Sequence, residues 1–533
     1  MKRPFERILI ANRGEIAVRV MRACKELGIE SIAICSEVDR HALHAQYADK
    51  IKCIGGNDLT DSYLNMEKII TAALEMKCEA IHPGYGFLAE NDAFAALCEK
   101  NGIKFIGPSS KAIGKFGNKN EARKMLKNGG VPIVPGTKDK LRDFDEAKRV
   151  AEYIGYPVMI KASAGGGGRG IKIANNEKEL ADAFHAAQVE AKSAFGNDEL
   201  FMEKYLRGIR HIEFQILADE YENIIHLMER DCSVQRRHQK LLEEAPSPAM
   251  TEELRKQAGE TAIRAAEVAG YTNAGTVEFL FAGKDFYFLE MNTRIQVEHP
   301  ITEAITGIDL VKEQIHIAAG EPLRYSQADI KIHGHAIECR INAEDPYANF
   351  IPCPGQVTYY YAPGGNGVRV DSAMRSGYTI PPFYDSLIAK LIVWGENRQE
   401  ATIRMKRALD EYVIDGVTTT IPFHQELLNH DRFLSGEIST DFVENEFIFG
   451  GRPYKDQYKE VAIISAVLSK YLTENQVARY PLNEKYLPSS WKLMGRVTEV
   501  PNKNALQKRR LVGESQSIWS RMRNYRTYAR FRS

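Results

Sequence analysis

Residues 160–173 read IKASAGGGGRGIKI, with four consecutive glycines (Gly165, Gly166, Gly167 and Gly168) followed by Arg169 and Gly170. A Walker A phosphate loop needs G-x-x-x-x-G-K-[ST], with a strand before it and a helix after it. Here an arginine follows the glycines, and the next segment, IKIA (171–174), is β-patterned. Strand, glycines, strand is the tip of a hairpin. Lacking Cβ atoms, its glycines let backbone N–H groups approach phosphate oxygens, adopt positive φ and open or close over a ligand. Lys161, at the base, is placed to meet a phosphate as a point charge. A plain flexible linker is the weaker reading, because both flanks are strongly β-patterned.

The chain has 533 residues, enough for more than one domain. Lys plus Arg and Asp plus Glu stand at 71 each, so the net charge points to neither nucleic acid nor a membrane surface. No stretch approaches the roughly 20 apolar residues of a membrane span. The opening MKRPFERILIAN has too short an apolar run for a secretory signal. Eight scattered cysteines without a C-x-x-C pair suit reduced core thiols. The expectation is a soluble cytoplasmic protein.

Before the glycine run, short apolar strands alternate with helical patterns. RILIAN, SIAIC, EAIHPGYGF and IKFIGPS read as strands, and Glu15 to Leu27 as a helix closed by Gly28. This order implies a parallel, doubly wound sheet, with ligands at the carboxyl ends of its strands. ANRGE and HPGYG occupy such ends, although NRGE lacks the dinucleotide spacing. From about Lys115 the texture becomes mixed, with helices near Asn120–Asn128 and Glu177–Lys192. A β-rich region then runs from HAIECRINAE to KLIVWG, followed by helices around 402–412 and 422–429. Past FIFGGRPY comes one helical segment, YKEVAIISAVLSKYL. From 501 to 533 there are nine Lys or Arg against the single acid Glu514, which reads as a mobile or docking appendage.

Two further stretches carry chemistry. GTVEFLFAGKDFYFLEMNTRIQVEHP reads as a hairpin, and a three-residue turn (Gly283 to Asp285) would set Glu278 opposite Glu290, with Asn292 on the same face. Two carboxylates and an amide oxygen suit magnesium; a half-solvated hairpin is the bland alternative. In NTRIQVEH, Arg294 is suited to a small oxyanion and Glu298 to proton transfer, against a surface ion-pair cluster. In ERDCSVQRRHQKLLEEAP an extended backbone would put His238 and Lys240 on one face; surrounding acids argue against a nucleic-acid patch.

Taken with ILIANRGEIAVRVMRACKELGI, HPGYGFLAEN, YPVMIKASAGGGGRG, MEKYL, HAIECRINAEDP and PPFYDSLIAKLIVWG, these stretches resemble biotin carboxylase, an ATP-grasp enzyme, over roughly residues 4–445. One departure is Ala164, where some members carry a further glycine. The resemblance implies an α/β and α+β fold: a doubly wound N-terminal domain (1–115), an ATP-grasp domain (116–330) with a glycine-rich lid at about 134–206, a β-rich C-terminal domain (331–447) and a basic extension (448–533). It implies Lys119, Lys161 and the four glycines at ATP phosphates, and Glu203, Lys204, Tyr205, Leu206 and Leu280 around the nucleotide, with His211, Gln235 and His238 nearby. Glu278, Glu290 and Asn292 would bind magnesium or manganese. Lys240, Arg294, Gln296 and Val297 would hold bicarbonate, Glu298 would be the base, and Arg340 would face the biotin ureido group.

No biotin-attachment motif is present: LEMKCEA (Lys77) and IRMKRAL (Lys406) fall inside helical patterns. The expectation is therefore one component of a multi-subunit carboxylase. It would act on biotin borne by a separate biotin carboxyl carrier protein, work with a carboxyltransferase subunit, form a homodimer, and have no membrane or nucleic-acid partners. A different ATP-grasp ligase is the rival reading, opposed by RIQVEHP and Arg340. An RNA-binding tail is another, set against a docking tail.

Overall fold

The computed structural model describes residues 3–117, 119–137, 140–162, 171–195, 200–450, 463–465 and 467–468. The chain divides into two units, Met1–Phe449 and Gly450–Ser533. In the second, residues 463–465 and 467–468 are helical, within the segment read as a helix. The basic stretch 501–533 and Gly165, Gly166, Gly167 and Gly168 lie outside the described residues.

The first strands are β1 (Arg7–Ile10), β2 (Glu30–Ser36), β3 (Lys50–Gly55), β4 (Ala80–His82) and β5 (Lys104–Phe105). They form one parallel sheet in the order β3-β2-β1-β4-β5. Ile8, Leu9 and Ile10 are each 0% exposed, which a strand achieves only when both faces of its sheet are covered. The order reverses between β1 and β4, and there the two predicted loops meet. Asn12 Nδ2 donates to the carbonyls of Pro83 (2.7 Å) and Tyr85 (2.8 Å), tying the loops together. Gly84 is needed at this contact: its φ is +64°, and a Cβ would come within 3.0 Å of Asn12.

Next come β6 (Val158–Ala162), β7 (Ile171–Ala174) and β8 (Leu200–Lys204), an antiparallel sheet in the order β7-β6-β8. Lys161 pairs with Ile171, so the glycine run is flanked by strands, as its β-patterned neighbours predict. The Phe144–Ile154 and Glu177–Phe195 helices accompany this sheet, with Val158, Ile160, Leu180, Phe184 and Met202 in a core of its own.

The largest sheet contains β9 (Arg210–Ala218), β10 (Ile224–Arg236), β11 (Gln239–Ala245), β12 (Asn273–Ala282), β13 (Asp285–Asn292) and β14 (His335–Asn342), plus the strands Leu387–Gly395 and Val368–Ser372. Its order is β13-β12-β9-β10-β11-β14, then Leu387–Gly395 and Val368–Ser372, antiparallel throughout. Val234, Leu241 and Leu242 pack with Ile337, Ile341 and Leu391, so one core continues across the β11–β14 seam. Leu217 and Leu227 pack with Ile8, Ile10 and Ile16, fixing the parallel sheet against this one. All eight cysteines are unpaired, six of them buried. Among the described residues, no helix is long and apolar enough to cross a membrane.

Candidate active site

The β12–β13 hairpin reaches its predicted register by another route. Ala282 pairs with Asp285, so the turn is two residues, Gly283 and Lys284, not three. Such a turn alone would leave Glu278 opposite Leu289. An irregularity next to Phe279 adds one residue on β13 and restores Glu278 opposite Glu290. Glu278 in turn pairs with Glu213 on β9, and Glu213 with Arg230 on β10. Four charged residues thus form one row across four strands.

Arg230 is fully buried and anchors the row. It donates to Glu213 (2.6 Å), Gln215 (2.7 Å), Thr302 (3.0 Å), Thr276 (3.1 Å) and Gln296 (2.7 Å). A buried guanidinium is tolerable only when its donors are satisfied in this way. Lys240, on β11, sits among three carboxylates: its ammonium donates to Glu213 at 2.5 Å, Glu298 at 2.7 Å and Glu278 at 3.0 Å. Burial would lower the Lys240 pKa, but Glu213, Glu278 and Glu298 hold it well above the usual lysine range.

Glu298 immediately precedes the His299–Thr306 helix, in the N-cap position, and is buried. One oxygen accepts from Lys240 and the other from Arg340 at 3.0 Å. Burial alone would raise its pKa; Lys240, Arg340 and Arg230 overcome that and hold it well below the carboxylate range. Arg340 also donates to Glu243 at 2.6 Å. Burial pushes Glu243 up to about 7, against the pull of Arg340. Arg294 donates to Glu90, from the loop beyond HPGYG, at 2.9 Å and to Asn292 at 3.1 Å. Gln296 bridges Arg230 and Glu278, donating to the latter at 2.8 Å. The Val297 carbonyl accepts from Lys390 at 2.9 Å. Lys240, Glu278, Asn292, Arg294, Gln296, Val297, Glu298 and Arg340 are therefore one neighbourhood.

The residues expected around a nucleotide are more dispersed. Glu203 accepts from Lys161 (2.5 Å) and Arg123 (2.6 Å), which hold its carboxyl low against the effect of burial. Lys204 spends its ammonium on the carbonyls of Gly155 and Tyr156, at 2.8 and 2.9 Å, inside the small sheet's own fold. Tyr205 and Leu206 follow directly on β8, and Tyr205 N–H donates to the Pro157 carbonyl. His211 Nε2 lies 3.0 Å from Glu278, and Leu280 pairs with His211 across the sheet. Gln235 is buried and pairs with Lys240. His238 departs from the extended reading: with Arg237 it forms the β10–β11 turn at φ +63°, so the alternation linking it to Lys240 does not hold. The side chain of Lys119 lies outside the described residues.

Glu278 and Glu290 give the oxygen donors that a hard divalent cation takes. Their facing register fits such an ion, which would offset the repulsion between them. Asn292 turns its Nδ2 toward Glu278 at 2.8 Å and its Oδ1 toward Arg294, so it braces the site. Sequence reading missed Glu213, Arg230, Glu243 and Lys390. The alternation His211, Glu213, Gln215 in RHIEFQILAD was a usable signal for Glu213. The other three become visible only through contacts with residues distant in sequence.

Comparison with known proteins shows the family. Residues 4–113 match the model for the biotin carboxylase N-terminal domain, 118–326 the carbamoyl-phosphate synthase L chain ATP-binding domain, and 338–445 the biotin carboxylase C-terminal domain. A pyruvate carboxylase subunit of Methanothermobacter thermautotrophicus is 56% identical over 485 residues, covering 91% of this chain and 96% of that protein. Biotin carboxylase 1 of Bacillus subtilis is 56% identical over 84% of this chain and 100% of its own length. Among solved structures, the biotin carboxylase domain dimer of the Hydrogenobacter thermophilus 2-oxoglutarate carboxylase, in complex with MgADP, ADP and bicarbonate, shares 55% identity at a TM-score of 0.75, covering 83% of this chain and 97% of that one. With all three parts matched in order, the chain belongs to the biotin carboxylase family of ATP-dependent ligases.

Proposed function

We propose that this chain carboxylates biotin borne on a separate carrier protein, using ATP and bicarbonate. The observation that carries the reading is Glu298 held between Lys240 and Arg340, beside Glu278. Lys240, Arg294, Gln296 and the Val297 peptide hold bicarbonate. Lys240 transfers its hydrogen bond from Glu298 to the anion, and Glu298 then accepts the bicarbonate proton. The freed oxygen attacks the γ-phosphoryl group of ATP, releasing ADP and forming carboxyphosphate. Carboxyphosphate gives carbon dioxide and phosphate, the phosphate takes the biotin N1′ proton, Arg340 stabilises the enolate that results, and its N1′ attacks the carbon dioxide to give carboxybiotin.

Magnesium or manganese at Glu278 and Glu290, joined by Asn292 once its amide oxygen turns inward, supplies neutralising charge to the phosphates. Lys119, Lys161, Gly165, Gly166, Gly167 and Gly168 cover those phosphates, and the lid keeps water from carboxyphosphate. Glu203, Lys204, Tyr205, Leu206, Leu280, His211, Gln235 and His238 surround the nucleotide, Lys204 through its backbone. We place the domain boundaries at 115, 330 and 447, with the lid at about 134–206.

The chain works in the cytoplasm as a homodimer, with a biotin carboxyl carrier protein and a carboxyltransferase subunit. The match to a pyruvate carboxylase component over 91% of this chain favours a 2-oxoacid as final acceptor. The test is ADP release by the purified chain with free biotin: it should require bicarbonate and magnesium together. Bicarbonate-independent turnover at the full rate would refute the reading. A native pull-down identifies the biotinylated partner.

A further inference from the structure

Lys390 is the one fully buried lysine among the described residues, on the strand Leu387–Gly395. Its ammonium reaches two parts of the chain distant in sequence. It donates to the Val297 carbonyl at 2.9 Å and lies 3.1 Å from the Glu15 carboxylate on the Gly14–Glu26 helix. Glu15 also accepts from the Tyr85 hydroxyl, whose ring lies 5.7 Å from the same ammonium. Lys390 therefore joins the first turn of the Gly14–Glu26 helix, and through Glu15 the Tyr85 loop after β4, to Val297 between Gln296 and Glu298.

The surrounding charges leave the ammonium to this task. Lys390 pairs across strands with Arg340 on one side and Asp371 on the other. Arg340 is committed to Glu243 and Glu298, and Asp371 to Arg369 at 2.7 Å. Glu338 pairs with Glu243 across β11 and β14, and neither of its carboxyl oxygens has a hydrogen-bond partner. Burial and the neighbouring Glu243 hold its carboxyl well above the usual range, against the pull of Lys390. The neighbouring His299 ring is held neutral by burial and by the nearby cations.

We infer that Lys390 is a positioning residue: by holding the Val297 carbonyl against Glu15, it sets the 296–298 peptides in the geometry that receives bicarbonate. The inference rests on the proposed assignment of that segment to bicarbonate. A carbonyl so held cannot rotate, so the Val297 peptide plane and the Gln296 and Glu298 side chains that flank it keep one arrangement. Lys390 touches neither substrate nor reacting atoms in this scheme.

The experiment is steady-state ADP release by the full chain, with bicarbonate and ATP varied separately. Lys390→Met should raise the bicarbonate KM by about tenfold and lower kcat by about ten- to a hundredfold, with the ATP KM within about twofold of wild type. Glu15→Gln keeps the volume and removes the counter-charge; it should raise the bicarbonate KM about threefold with the same selectivity. The inference is overturned if the bicarbonate KM stays within about twofold of wild type in folded Lys390→Met, or in Glu15→Gln should the first variant not fold. It is equally overturned if the two KM values rise together, the mark of general loosening. Gln296→Ala separates the two levels: an unchanged bicarbonate KM there rejects the segment's assignment. A raised value beside an unaffected Lys390→Met rejects the role of Lys390 alone.

Discussion

Lys240 and Glu298 are joined at 2.7 Å, in a site from which both are nearly excluded from water. A carboxylate between an ammonium and a guanidinium is a poor base, because both cations favour its ionised form. The pair is therefore a resting arrangement. In the proposed reaction Glu298 would gain basicity when bicarbonate draws the Lys240 ammonium away, so that substrate arrival would ready the base.

Glu298→Gln should lower bicarbonate-dependent ADP release by about 10²–10⁴-fold while leaving the ATP dissociation constant within about threefold. Parallel turnover assays and nucleotide titrations check this. Near-normal turnover would remove Glu298 from the role of base.

Arg340→Lys keeps a positive charge but cannot span Glu243 and Glu298, which the guanidinium reaches through separate nitrogens at 2.6 and 3.0 Å. Biotin carboxylation should fall by about a hundredfold, with ATP cleavage in the absence of biotin much less affected. Equal loss in both assays would show that Arg340 acts before biotin is involved.

Chelation of divalent cations should abolish turnover, and magnesium should restore it. Glu290→Gln should raise the magnesium concentration for half-maximal rate by about tenfold or more. An unchanged magnesium requirement would place the ion elsewhere.

Glu244 supplies a pH dependence of stability. Burial opposes its ionised form, but His335 at 2.9 Å and Arg398 at 2.6 Å bring its pKa down to about 2. A carboxyl depressed in the folded state contributes stability that is fully present above its unfolded value near 4.5 and lost as pH falls through about 2. Glu244→Gln should cost about 3 kcal/mol at pH 7. Denaturation curves at pH 7 and pH 3 should show the gap between variant and wild type narrowing with acid. A gap independent of pH would mean that packing, not charge, is lost.

Much of the site was legible because its parts are local. Arg294, Gln296 and Glu298 lie within five residues, and strand alternation placed Glu278 and Glu290 on one face. The paired strands flanking the glycine run followed from the β character of IKAS and IKIA. The hairpin register came out correctly although the turn is shorter than expected, because the extra residue on β13 compensates. The extended backbone expected at His238 does not form, because a tight turn interrupts the alternation there. The ammonium of Lys204 is used inside the small sheet, which its place in MEKYL does not reveal. Arg230, Glu243 and Lys390 were hidden for a common reason. Each acquires its meaning from partners distant along the chain, and a single sequence carries no record of such contacts.

The seam between β11 and β14 bears on how this enzyme can be divided. Lys240 and Arg340, assigned to opposite ends of the reaction, stand on adjacent strands of one hydrogen-bonded sheet. A chain cut near residue 330 would bare the β11 edge with Leu242 and Glu244 on it, and an open edge invites pairing with other chains. Such a fragment should aggregate rather than survive as a small ATPase. The break between the two family matches, at 326 and 338, thus falls inside one continuous sheet and one compact unit, Met1–Phe449.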